Sequence, residues 1–210
     1  GRGRFEEIGL ISGAGYSEHG KEEAGMGVDA ADIDGDGLLD LVVTNFQREA
    51  NALYRNEGDL AFTEISADSG TALIAHQRLG FGVRFLDFDH DGVQDLLVAN
   101  GHIYDNGDRL EPPVPHAQPP SLFRGLGGGR FEEVTTRAGA WFSRPIVGRG
   151  LATADLDQDG DLDAVFTVNG GPAKLFENVG GNARAWVVVR LVGAGRSVLG
   201  ARVTVDCGGR

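Results

Sequence analysis

Nine residues, repeated three times without a gap, constrain this chain more than anything else in it. The windows read D-I-D-G-D-G-L-L-D at 32–40, D-F-D-H-D-G-V-Q-D at 87–95 and D-L-D-Q-D-G-D-L-D at 155–163. All three fit D-x-D-x-D-G-x-x-D, and their starts lie 55 and 68 residues apart. Self-similarity at that spacing marks a supersecondary unit stacked along the chain. Thirteen of the 19 aspartates fall inside these windows, so the net charge of -12 is concentrated rather than spread.

The flanks repeat in step. A Gly-rich lead precedes each window: GMGVDAAD (25–32), GFGVRFLD (80–87) and GRGLATAD (148–155). A β-branched run ending at Asn follows: LDLVVTN (39–45), QDLLVAN (94–100) and LDAVFTVN (162–169). Next come NALYRNEG (51–58), PSLFRGLG (120–127) and PAKLFENVG (172–180). Segments with a phenylalanine near their start, GRFEEI (3–8), DLAFTEI (59–65) and GRFEEV (129–134), then open the next unit. Short apolar runs bounded by Gly and Asn read as strands and turns, about four per unit, and no stretch carries sustained helical periodicity. The expected fold is all-β, built of β-propeller blades, with a small open β-solenoid as the alternative. Three loops fall short of a closed ring, and the chain opens in mid-unit, so the reading is of part of a longer protein. One segment departs from the period. Residues 101–120 hold five of the seven prolines and account for most of the wider second spacing.

Composition excludes several classes. At 41% hydrophobic the chain can build a core. Its acidity argues against nucleic acid, whose binding rests on neutralising phosphates. No apolar stretch approaches the ~18 residues of a membrane span, and residues 1–20 lack a signal-peptide core. Cys207 is alone, so neither an internal disulfide nor a cysteine metal cluster is available.

Each loop offers carboxylates at positions 1, 3, 5 and 9 with Gly at 6: Asp32, Asp34, Asp36 and Asp40; Asp87, Asp89, Asp91 and Asp95; Asp155, Asp157, Asp159 and Asp163. Oxygen-only donors on a tight turn select a hard cation, Ca²⁺ over Zn²⁺. Position 7 (Leu38, Val93 and Asp161) would add a backbone carbonyl, as in other calcium loops. An EF-hand fails, because position 12 is Val43, Val98 and Phe166 and the flanks are strands. The tandem G-G-x-G-x-D calcium repeat is absent too. The plain alternative is a set of solvated Asp-Gly turns. Against it stands the repulsion among clustered carboxylates, about 4 kcal/mol per pair near a surface. About three Ca²⁺ ions, one per loop, are therefore expected, with affinity of about 10⁻⁴ to 10⁻³ M.

The loop, its G-x-G lead and the N-x-L-[YF]-x-N follow-up resemble the FG-GAP/VCBS repeat of integrin α-subunit propellers and many secreted bacterial proteins. The resemblance covers about 1–180 as three blades and implies the aspartates above as ligands. Residues 181–210, with Asn182, Trp186, the turn from Arg196 to Gly200 and the run through Val203, look like the truncated start of an ASPIC/UnbV domain. That pairing is similar to bacterial relatives of cartilage acidic protein. An ordinary final hairpin of WVVVRL and ARVTVDC is the alternative.

The leading functional reading is a calcium-stabilised, non-catalytic module for extracellular interaction or adhesion. Its partner is an unknown protein or glycan, and the remaining blades of the parent chain complete it. The resemblance and the ion chemistry place it outside the cell or in the periplasm. An enzyme would draw on His102, Tyr104, Asp105, Asp108 and His116 in the insert, although their spacing matches no catalytic signature. A glycan binder would draw on Trp141, Phe142 and Trp186 as stacking residues, which otherwise pack between blades.

Overall fold

The computed structural model describes residues 3–109, 111–183, 186–193, 201 and 203–205. Its strands form three antiparallel sheets in sequence order. The first holds β1 (Gly27–Ala31), β2 (Asp40–Thr44), β3 (Ala52–Gly58) and β4 (Ala61–Glu64). The second holds β5 (Gly80–Leu86), β6 (Asp95–Asn100), β7 (Ser121–Gly127) and β8 (Arg130–Glu133). The third holds β9 (Gly148–Ala154), β10 (Asp163–Val168) and β11 (Lys174–Phe176). The fold is all-β and blade-like, as the repeats imply. Two short helices, α1 (Gly9–Ser12) and α2 (Ala72–Gln77), lie in the connections.

Each aspartate window is the hairpin joining the first two strands of a sheet. Ala31 pairs with Asp40, Leu86 with Asp95 and Ala154 with Asp163, so position 9 begins the second strand. The first strands β1, β5 and β9 lie side by side. The Gly-rich leads permit this approach: a Cβ on Gly27 would strike the Phe81 carbonyl, and one on Gly82 would meet Leu151 N at 2.5 Å.

Burial follows from this stacking. Strand β6 is buried at all six positions because the middle sheet is covered on both faces, whereas β2 alternates buried and half-buried residues. One apolar cluster, including Ile33, Leu53, Phe85 and Phe131, lies between the first two sheets. A second, including Leu86, Leu122, Leu151 and Phe166, lies between the last two.

The phase of the repeat differs from expectation. The phenylalanine segments close a sheet rather than opening the next one, since β4 pairs with β3 and β8 with β7. The reason is the two-residue turn between them. Asp59 and Leu60 have φ of 51° and 61°, and Gly128 and Gly129 have 62° and 72°. Positive φ at both central residues matches the strand twist and snaps the chain back onto the same sheet. Segment 3–8 forms no strand and Phe5 is fully exposed, because no strand of the β3 type lies beside it among the described residues.

The outer strand also docks on the preceding connection, and here the repeats diverge. Phe131 N donates to Ser69 O at 2.7 Å, with its carbonyl packed on Gly70, while the Phe62 carbonyl packs likewise on Gly13. Their counterpart by alignment, Gly139, has left-handed φ (100°), but nothing lies within 4 Å of where its Cβ would stand, so no outer strand reaches it among the described residues. A cleft of about 440 Å³ opens there, lined by residues such as Leu97, Leu122, Gly139, Phe142 and Phe176. Residues 186–193 carry no strand, and the Arg196-to-Gly200 turn, Arg202 and Cys207 of the C-terminal segment lie outside the described residues.

Candidate metal centre

Position 9 is the structural root of each loop. Asp40, Asp95 and Asp163 are at most 3% exposed, and each clamps two backbone amides. Asp40 accepts from Ile33 N (2.9 Å) and Asn56 N (2.8 Å). Asp95 accepts from Phe88 N (2.9 Å) and Gly125 N (2.7 Å), and Asp163 from Leu156 N (3.0 Å) and Asn178 N (2.9 Å). One oxygen thus holds position 2 of its own loop and the other holds the third strand or the residues just after it. Burial drives the Asp95 carboxyl up to about 7 despite these donors, and pushes Asp40 up for the same reason. Sequence spacing placed position 9 with the other ligands. Its hydrogen bonds make it first the pin between hairpin and sheet.

Positions 1, 3 and 5 shape the turn itself. Asp32 accepts from Gly35 N and Gly37 N, and Asp87 from Asp91 N and Gly92 N, all within 3.0 Å. Asp155 accepts from Gly160 N at 3.2 Å. Position 5 accepts from position 7 every time: Asp36 from Leu38 N, Asp91 from Val93 N, Asp159 from Asp161 N. Such side-chain turns stabilise local reversals. Position 4, an x in the motif, is left-handed in all three loops, as Gly35 (86°), His90 (51°) and Gln158 (65°). That requirement is invisible in a residue type as varied as this one.

Carboxylate oxygens converge in every loop. Atoms of Asp32, Asp34 and Asp36 lie within 4.8 Å of one another, as do those of Asp87, Asp89 and Asp95, and of Asp155, Asp157 and Asp159. The second group holds Asp95 in place of Asp91; Arg124 Nη2 donates to Asp91 Oδ2 at 2.5 Å, and Arg124 Nε lies 3.2 Å from Asp89 Oδ2.

The third loop gains residues that spacing did not single out as side-chain contributors. Asp161, expected to contribute only a carbonyl, buries its carboxylate completely, with Oδ2 accepting from Asn182 N at 3.2 Å. Asn182 Nδ2 also donates to Asp159 Oδ2 at 2.7 Å, and Trp186 lies against Gly160. The signal for Asp161 was the extra acid at position 7. Leu38 by contrast is exposed and Val93 half-buried.

Among the described residues, Asp155 Oδ1 and Asp161 Oδ1 are shielded from solvent without a hydrogen-bond partner. Burial also raises Asp161, with Asp159 adding to it. Buried acceptors left without donors are costly, and a cation among them removes the cost. The donor set is all oxygen, which fits a hard ion such as Ca²⁺. These groups of carboxylates are the ones that could hold such an ion.

The insert folds back on the second sheet. His102 is buried, its amide donates to His116 O at 2.8 Å, and its Nδ1 accepts from Tyr104 N at 3.1 Å. Its ring packs on Phe46 and Tyr104, and burial lowers its basicity, with His116 and Arg149 adding to the effect. Tyr104 and Asp105 are exposed and His116 half-buried. Trp141 and Phe142 sit with Phe166 and Phe176 in one aromatic cluster between sheets. They pack on one another and on the core, with Phe142 and Phe176 also lining the cleft, whereas Trp186 is 47% exposed beside the third loop.

Comparison with known proteins agrees with the repeat. Residues 32–98 match the FG-GAP-like repeat family. Cartilage acidic protein 1 of Homo sapiens is 31% identical over 149 residues, 70% of this chain and 19% of that protein. The Xenopus tropicalis protein of the same name is 29% identical over 149 residues, 70% of this chain and 20% of its own length. The chain thus spans about a fifth of the curated relatives it matches. A solved lectin of Agrocybe aegerita, described as recognising non-reducing terminal N-acetylglucosamine, covers 72% of this chain and 34% of its own. Its identity is 22% and its TM-score 0.42.

Proposed function

This chain carries FG-GAP-like repeat sequence, and from that premise we propose that it is a calcium-binding, non-catalytic interaction module of propeller type. The observation that carries the reading is threefold: homologous hairpins, each hung from a buried position-9 aspartate, converge their carboxylates to within 4.8 Å. Asp32, Asp34 and Asp36 would hold one ion. Asp155, Asp157, Asp159 and Asp161 would hold another, and Asp87, Asp89 and Asp95 offer a third place. A bound divalent cation supplies charge neutralisation, which couples ion binding to the stability of the inner hairpins. The ions are structural in this reading, and the connecting loops, including 101–120, carry specificity for a protein or glycan partner.

Weak all-oxygen loops suit millimolar calcium, which supports an extracellular or periplasmic setting. Among the described residues no helix is long and apolar enough to cross a membrane. The burial of His102 against Phe46 and Tyr104 supports a packing role for it over an acid–base one. Thermal melting in millimolar CaCl₂ and in EGTA tests the proposal. The melting temperature should fall clearly in EGTA, and superimposable curves would sink it. Turnover by the parent protein that disappeared in His102→Ala would sink the non-catalytic part.

A further inference from the structure

The three hairpins share a motif but not a neighbour. In register, Leu41 faces Tyr54, Leu96 faces Phe123 and Ala164 faces Phe176. The next residue along the chain is therefore Arg55, Arg124 and Glu177 in turn, directly before the amide that position 9 clamps. What each arginine does depends on the residue two further on. In the first sheet that residue is Glu57, and Arg55 turns to it, with Nε and Nη2 donating to Oε1 at 2.9 and 2.7 Å. In the second sheet it is Leu126, which offers no acceptor. Arg124 turns instead into the loop and binds Asp89 and Asp91. In the third sheet the position is Glu177, exposed, and the loop holds a fifth aspartate.

We infer that Arg124 determines which loops take metal: its guanidinium pairs with two aspartates of the second hairpin, leaving the first and third as the loops that bind divalent cations more tightly. The inference rests on the calcium reading above and refines it. The guanidinium makes a short charge-assisted bond to Asp91 and an ion pair with Asp89, and its positive charge repels an incoming divalent ion at close range. It also removes the need for one, because the repulsion within the loop is already offset by an internal cation. The second hairpin is then stable without calcium, and Glu57 is what keeps the first from behaving the same way.

Calcium titration by calorimetry on the whole chain, with melting curves in EGTA, tests this. The wild type should show two sites of similar affinity and a third at least about tenfold weaker. Arg124→Gln should raise the weak site into the range of the others and, in EGTA, should melt lower than wild type. Arg124→Lys should keep the third site weak. The reciprocal change, Glu57→Leu, frees Arg55 to enter the first loop and should weaken one of the two tighter sites. Terbium emission excited through Trp186, beside Gly160 of the third loop, should be unaltered in both variants and so reports that the fold persists. Three equivalent sites in the wild type, unchanged by Arg124→Gln, overturn the role of Arg124 and leave the calcium reading standing. No binding to any loop overturns both.

Discussion

The second and third aspartate loops have the same motif and nearly opposite surroundings. The second is partly neutralised from within, by an arginine arriving from the strand that also supplies a position-9 amide. The third accumulates charge, with Asp161 buried and Asp159 accepting from neutral donors, the Asn182 side chain and the Asp161 amide. A shared sequence therefore sets the shape of the hairpin but not its demand for an ion. That demand depends on groups contributed from well outside the nine-residue window.

Four experiments test this contrast. The largest effect belongs to the pin that both loops share. Asp95→Ala leaves the Phe88 and Gly125 amides without acceptors and should cost about 3 kcal/mol of stability in denaturant unfolding; Asp163→Ala should cost a similar amount. A loss of under about 0.5 kcal/mol would show that the amides find other partners.

Next is the docking of the outer strand, which the second sheet has and the third lacks among the described residues. Gly70→Val meets both a left-handed backbone and the Phe131 carbonyl, whereas Gly139→Val meets the backbone strain alone. The first should lose about 3 kcal/mol and the second about 1 to 2 kcal/mol. Equal losses would mean that Gly139 is covered as Gly70 is.

Calcium withdrawal should separate the loops directly. In EGTA the amides of the β9–β10 hairpin should exchange with solvent faster by roughly tenfold, a local opening easier by about 1.4 kcal/mol, and those of β5–β6 should change little. Parallel acceleration of both would erase the distinction drawn from Arg124.

The smallest effect is on pH. Asn45, which follows β2, donates to Glu23 at 2.6 Å, while its counterpart Asn100 donates to Pro119 O and Ser121 Oγ. Burial, with Glu64 and Glu49 nearby, raises the Glu23 carboxyl from 4.5 to about 7. A raised acid favours the folded state while protonated, so its contribution is full below 4.5 and is lost as pH rises to about 7. Glu23→Gln should flatten the stability profile across that window. A profile indistinguishable from wild type would remove Glu23 as its cause.

Much of this was legible beforehand, for a physical reason. The hairpin signals are local: position 5 accepts from position 7, position 1 from positions 4 to 6, and paired runs of apolar residues flank them. Strand order within each sheet followed from the order of those runs. The phase of the outer strand is not visible in the pattern, because Phe62 and Phe131 look like the opening of a unit and only the left-handed pair before each turns the chain back. Asn182 was likewise read as part of a following segment, although its side chain closes the third loop.

What the amino-acid sequence determined by itself is therefore the repeat, the all-β character and three turns crowded with carboxylates. Each of these arises among residues within a few positions of one another, where backbone geometry leaves few choices. Only the tertiary structure decided which aspartate pins and which remains open, where Arg55 and Arg124 point, and that Gly139 stands uncovered among the described residues. Those outcomes rest on amides and side chains brought in from other strands, and the nine-residue motif carries no information about them.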